Sequence, residues 1–72
     1  MANIGPMELF VNGKPQACPA DCTVADLIEL LGLTGKRLAV ERNQTLIPRS
    51  QHGQTRLEAG DRLEIVVAVG GG

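Results

Sequence analysis

One stretch of this chain, and no other longer than a turn, repeats with the period of a helix, and a polypeptide of 72 residues has to be built around it. Val24, Leu27, Ile28 and Leu31 fall at i, i+3, i+4 and i+7 and so share one apolar face. Thr23 stands where an N-cap belongs, with Asp26 three residues on. This is a capping-box pattern with a shorter acid than the usual Glu. Asp26 and Glu29 turn to solvent, and an acid near the helix start suits the macrodipole. Gly32 is the natural stop, and Thr34-Gly35 is a second break.

The flanking segments read as strands. Met7-Glu8-Leu9-Phe10-Val11-Asn12 alternates in period two, with Met7, Leu9 and Val11 on one face and Glu8, Phe10 and Asn12 on the other. Asn12-Gly13 is a hairpin signal, because both residues accept positive φ. Lys14-Pro15-Gln16-Ala17-Cys18 returns as a short strand. Pro15 cannot donate to a ladder and so assigns that strand to a sheet edge. Beyond the helix, residues 37–42 read as a third strand, Asn43-Gln44 as a turn, and Thr45-Leu46-Ile47 as a short segment halted by Pro48. Residues 49–54 are polar and irregular, with room for one helical turn, and Leu57 is the apolar anchor of this region. After the turn Ala59-Gly60-Asp61, residues 62–69 form the last strand. Leu63, Ile65, Val67 and Val69 share one face; Glu64, Val66 and Ala68 share the other. That second face is also mostly apolar, which suits a central strand.

The order is hairpin, helix, two short strands, final strand. The single helix must cover one sheet face, and it also supplies the crossover that a parallel pair requires. The expected class is α+β: a mixed sheet of four to five strands wrapped on one main helix, with the first and last strands as central neighbours. This is the ubiquitin-like β-grasp. Residues 1–6 read as a disordered leader, 7–69 as the β-grasp domain and 70–72 as a flexible Gly-Gly-Gly tail.

Composition narrows function by exclusion. The net charge of −1 comes without a basic cluster in the sequence, so nothing suggests a nucleic-acid footprint. Phe10 is the sole aromatic residue, too few for a base-stacking platform. No run is long enough to span a membrane, and the leader lacks the regions of a signal peptide, so the expected location is cytoplasmic. Cys18 and Cys22 are too few for a disulfide scaffold, and with His52 they fall short of a zinc site. They read as ordinary structural thiols, His52 as a solvated or locally bonded histidine, and no metal is expected. Arg49 either bonds carbonyls of its loop or faces an acid on a partner. The chain has no nucleotide-binding loop and is not expected to be an enzyme.

The last stretch, Ala68-Val69-Gly70-Gly71-Gly72, follows an apolar strand with residues that have no Cβ. Such an arm enters a narrow channel that other residues would block. It is either a fraying end or an arm whose terminal carboxylate is acted on inside a partner.

Several segments together resemble a known family. They are Phe10-Val11-Asn12-Gly13, Thr23-Val24-Ala25-Asp26-Leu27-Ile28, Leu38-Ala39-Val40-Glu41-Arg42-Asn43, Ile47-Pro48-Arg49-Ser50 and Gly60-Asp61-Arg62-Leu63-Glu64-Ile65-Val66, followed by the glycine end. Over about residues 7 to 72 the chain resembles the small sulfur carrier proteins of thiamin biosynthesis, the ThiS type. The resemblance implies that Gly72 is the modified residue and Gly71 its partner in the terminal pair, with Gly70 adding flexibility. It implies a ubiquitin-activating-type, ThiF-like adenylyltransferase that uses Mg-ATP to adenylate the Gly72 carboxylate. A persulfide sulfur, supplied indirectly by a cysteine desulfurase, then gives a thiocarboxylate. A ThiG-like thiazole synthase takes that sulfur. The chain itself is then a protein co-substrate that binds no cofactor; its oligomeric state is open on the sequence, and a monomer that forms complexes is expected.

Recognition has to come from the folded body. Phe10, Val66 and Ala68, with Val69 beyond them, are the expected partner-binding residues, as an apolar patch on the sheet face away from the helix. The bland alternative is that Phe10 covers the edge of a thin core. Other recipients remain open on the sequence: molybdopterin, a thiolated tRNA or cysteine synthesis by the same carrier chemistry, or a ubiquitin-like modifier joined to lysines. Val66-Val67-Ala68-Val69 stands where molybdopterin carriers tend to show a Phe-Pro-Pro type segment, which favours thiamin.

Overall fold

In the computed structural model, which describes residues 5–68, Asn12 and Gly13 take φ of 53° and 83°. This two-residue turn folds β1 (Met7–Val11) back on β2 (Lys14–Cys18). The second hairpin uses the same device. Asn43 and Gln44, at φ 51° and 72°, join β3 (Leu38–Arg42) to β4 (Thr45–Ile47). Between the hairpins lies α1 (Val24–Leu30). Its cap is the reciprocal pair expected: Asp26 N–H donates to Thr23 Oγ1 at 3.1 Å and Thr23 N–H donates to Asp26 Oδ2 at 3.0 Å. Gly32, at φ 74°, turns the chain out of the helix.

A 3₁₀ turn at Arg49–Gln51 begins the irregular segment, which docks on the start of α1. The Thr55 carbonyl accepts from Val24 N–H at 3.0 Å, and the His52 carbonyl from Ala25 N–H at 2.9 Å. Two first-turn donors that the helix cannot satisfy internally are thereby bonded.

The last strand, β5 (Arg62–Val67), enters the middle of the sheet, giving the order β2-β1-β5-β3-β4. β1 and β5 are parallel; the other pairs are antiparallel. A five-stranded mixed sheet on one main helix is the ubiquitin-like β-grasp. β2 is an edge strand, as Pro15 requires. One face of the sheet and the inner face of α1 close over Leu9, Val24, Leu27, Val40, Leu63 and Cys22, all fully buried, with Leu57 packed among them. The third strand starts at Leu38 rather than Arg37. Val69, the 70–72 tail and leader residues 1–4 lie outside the described residues.

Two polar clusters set the geometry around β5. Asn12 lies just past β1, and its side chain completes the pairing that the hairpin cuts short. Its Nδ2 donates to the Ile65 carbonyl at 3.1 Å, while Ile65 N–H donates to its Oδ1 at 2.9 Å. At the other end of β5, the buried Asp61 carboxylate accepts from Arg42 Nε and Glu58 N–H, each at 2.8 Å, and from Asn43 Nδ2 at 3.1 Å. Asn43 Oδ1 in turn accepts from Arg62 N–H at 3.0 Å. This ties the β3–β4 turn to the entry of β5.

Candidate functional site

The alternation along β5 decides which side chains face away from the helix. Leu63 and Ile65 point into the core, so Arg62, Glu64, Val66 and Ala68 face the opposite way, away from α1. Register then places their neighbours. Val66 is opposite Ala39, Glu64 is opposite Glu41, and Glu41 is opposite Leu46. Val66 and Leu46 are the most exposed large apolar side chains of this face, at 64% and 61%. Ala68 continues the alignment by donating its N–H to the Arg37 carbonyl at 2.8 Å. An apolar strip of Ala39, Val66 and Ala68 thus leads along the sheet toward the point where residues 69–72 begin.

Phe10 lies on the same face but not in that strip. Its register partner on β5 is Arg62, and Val66 is four residues further along the strand, with Glu64 between. The Arg62 guanidinium sits 5.2 Å over the ring, and Pro15 lies opposite on β2. The single compact patch expected of Phe10, Val66 and Ala68 is therefore two areas at opposite ends of β5. The sequence showed the shared face but not the register, and a parallel pairing shifted by four residues separates its two ends. Leu46, whose face could not be assigned from sequence, is exposed beside Glu41.

The remaining reactive side chains have settled local roles. His52 is buried, with Nε2 3.1 Å from the Ile47 carbonyl; since a carbonyl only accepts, Nε2 carries the proton. Cys18 and Cys22 are free and buried, and Cys22 Sγ donates to the Thr23 carbonyl at 3.3 Å. Burial raises both thiols above their usual range, Cys22 to about 12 with a smaller push from Cys18. Thiolate is the reactive form. An aromatic disulfide reagent at about pH 8 accordingly leaves both thiols unmodified in the folded protein and titrates both after denaturation; rapid labelling of folded protein would contradict this burial. Among the described residues no group of three His, Cys, Asp or Glu side chains could hold a metal ion, and no helix is long and apolar enough to cross a membrane.

The model of the ThiS family matches residues 9–72, from the first core leucine through the glycine end. The chain belongs to the ThiS family. Its relatives include the sulfur carrier protein ThiS of Escherichia coli (strain K12), 30% identical over 66 residues that cover 92% of this chain and 100% of that one. The thiazole synthase of Paramagnetospirillum magneticum is 41% identical over 66 residues, 92% of this chain and 20% of that protein. The chain thus spans about a fifth of the length of the thiazole synthase relatives it matches. Among solved structures, the crystal structure of the thiamine biosynthesis protein (ThiS) from Geobacter metallireducens superimposes with a TM-score of 0.77 at 30% identity, covering 92% of this chain and all of that one. The Gly71-Gly72 end, singled out in the sequence by resemblance, lies beyond the described residues. What the structure adds is the platform from which that end departs: a central strand, bonded on both sides, with an apolar strip on its outer face.

Proposed function

We propose that this chain is a sulfur carrier of thiamin biosynthesis, and that the Gly72 carboxylate is its working group. The observation that carries the reading is the family match, which runs through the fold and on through Gly71 and Gly72. A relative named as a thiazole synthase contains a segment 41% identical to this chain, which supports thiazole synthase as the recipient.

A carboxylate resists substitution because its charge is delocalised and oxide is a poor leaving group. In the proposed cycle an adenylyltransferase joins the Gly72 carboxylate to the α-phosphate of Mg-ATP, releasing pyrophosphate. The terminal sulfur of a persulfide, formed with a cysteine desulfurase, attacks the acyl carbon and expels AMP. A thiol then cleaves the resulting S–S bond and leaves the thiocarboxylate. Its sulfur is a good nucleophile toward the thiazole precursor, after which water restores the carboxylate. The chain contributes the acyl group, a rigid body and a side-chain-free approach. Mg-ATP is used by the partner, not bound here.

Intact-protein mass spectrometry tests this after incubation with a ThiF-like enzyme, ATP and a persulfide source. Exchange of one oxygen for sulfur, located by fragmentation at Gly72, is expected. An isopeptide-linked adduct on lysine would instead indicate a protein modifier. No change with an enzyme active on another carrier would overturn the reading.

A further inference from the structure

A second surface flanks the start of residues 69–72, on the side of the sheet that carries the helix. The loop after α1, the beginning of β3 and the 3₁₀ turn enclose an open groove of about 320 Å³. Its floor is apolar, formed by Ile28, Leu33 and Leu38. Its charged lining is Lys36, Arg37 and Arg49, with no acidic side chain among the residues that line it. These are three of the seven Lys and Arg residues of a chain whose net charge is −1. They stand far apart in sequence and are gathered only by the fold. Each is exposed, and none has a carboxylate partner among the described residues, where the ion pair present is Arg42 with Asp61.

The position of this groove is fixed by β5. Leu38 is paired with Val67, and the Arg37 carbonyl accepts from Ala68 N–H at 2.8 Å. The cations therefore stand around the foot of the C-terminal arm. Like charges gathered without counter-charges repel one another and lower the stability of the free chain slightly. A partner that brings carboxylates relieves that repulsion and gains complementarity.

We propose that Lys36, Arg37 and Arg49 form a docking site for an acidic segment at the rim of the channel that takes the C-terminal arm in the adenylyltransferase. The occupant is a protein carboxylate rather than the nucleotide, and reach decides this. The four residues 69–72 extend at most about 14 Å. Once the arm is threaded, the nucleotide lies at its tip and the groove remains at the mouth. The site adds to the apolar strip on the other face of the sheet: the strip contributes buried area, and the cations contribute orientation and association rate. This inference depends on the proposed carrier function.

The test compares two variants of equal net charge. Lys36→Glu/Arg49→Glu reverses two groove cations from two separate elements. Lys14→Glu/Arg56→Glu reverses two exposed cations elsewhere. Binding of each full-length chain to a ThiF-like adenylyltransferase is measured by stopped-flow at low and high salt, beside adenylation at saturating carrier. The groove variant is expected to associate about tenfold or more slowly at low salt. The gap to wild type should shrink at high salt, and the saturated rate should be unchanged. The Lys14/Arg56 variant is expected to stay within about twofold of wild type. Equal slowing of both variants, or a salt-independent loss in the groove variant, overturns the docking site alone. Absence of binding and adenylation by the wild-type chain overturns both the site and the carrier function.

Discussion

Asp61→Asn lowers the melting temperature by roughly 10–30 °C and flattens the acid limb of the stability curve. The carboxylate is buried and accepts three hydrogen bonds, one from a guanidinium. The substitution keeps the shape but provides one acceptor oxygen where two are used. Rotating the Asn43 amide would not rescue the contact, because Asn43 Oδ1 already accepts from Arg62 N–H. One donor is left facing a donor, and Arg42 loses its counter-charge. Bonds to a charged group contribute about 1.5–3 kcal/mol each, and a broken buried pair costs more than an exposed one. We therefore expect a loss of about 2–4 kcal/mol, out of roughly 4–11 kcal/mol for a domain of 72 residues. Burial by itself would raise the Asp61 pKa, but the Glu58 N–H, the Asn43 amide and the Arg42 guanidinium outweigh it and hold the carboxyl below its ordinary 3.8. The unfolded chain thus takes up this proton first. The stabilisation is complete above about pH 4 and is lost as pH falls through the lower, folded value. Circular-dichroism melts of both proteins across pH 2–7 measure it. Equal melting temperatures at pH 7, or an unchanged acid limb, would show that the network does not hold the fold.

Deleting Gly71 and Gly72 is expected to abolish acyl adenylate formation while the melting temperature stays within about 2 °C of wild type. The described core closes between Leu9 and Ile65, and the caps, turns and polar clusters lie inside that span. Removing the last two residues therefore subtracts no described contact. Under the proposed function it moves the terminal carboxylate back to Gly70, about 7 Å short of its reactive position, and no nearby side chain substitutes for it. Pyrophosphate release with a ThiF-like enzyme gives the readout. A parallel variant that appends one Ala after Gly72 moves the carboxylate beyond its reactive position and is expected to be inactive too. Full turnover by the truncated chain would show that the arm is inert. A large fall in melting temperature would instead assign it a structural task.

These two regions differ in how far the sequence announced them. Signals confined to a few residues were readable: Thr23 with Asp26, Asn12 with Gly13, the apolar spacing of α1, and Pro15 at an edge. Each is a short-range physical preference that the tertiary structure leaves in place. What stayed hidden depends on residues brought together across long stretches of chain. Asn12 read as a turn residue, yet its side chain bonds Ile65, 53 positions away. Asp61 read as part of a turn, and its partners Arg42 and Asn43 arrive from the second hairpin. The shared face of Phe10 and Val66 followed from alternation, but their separation depends on register, which alternation does not determine. The basic groove is the same kind of case, since Lys36 and Arg49 meet only when the 3₁₀ turn docks on α1. The glycine end became meaningful through resemblance to a family; two or three terminal glycines alone are compatible with a fraying end.

The central place of β5 also has a mechanical consequence. An enzyme that draws the arm into a channel, or strips it back after turnover, applies tension to the end of this strand. β5 faces β3 over five register pairs and β1 over two, and the Asn12 amide adds bonds at Ile65. A pull along its axis loads these rows in shear, so many bonds must give way together. An edge strand such as β2 or β4 would instead peel one bond at a time. The arm is thus anchored to the part of the sheet most resistant to traction, so under the proposed function the body withstands pulling at that end through repeated cycles without unravelling.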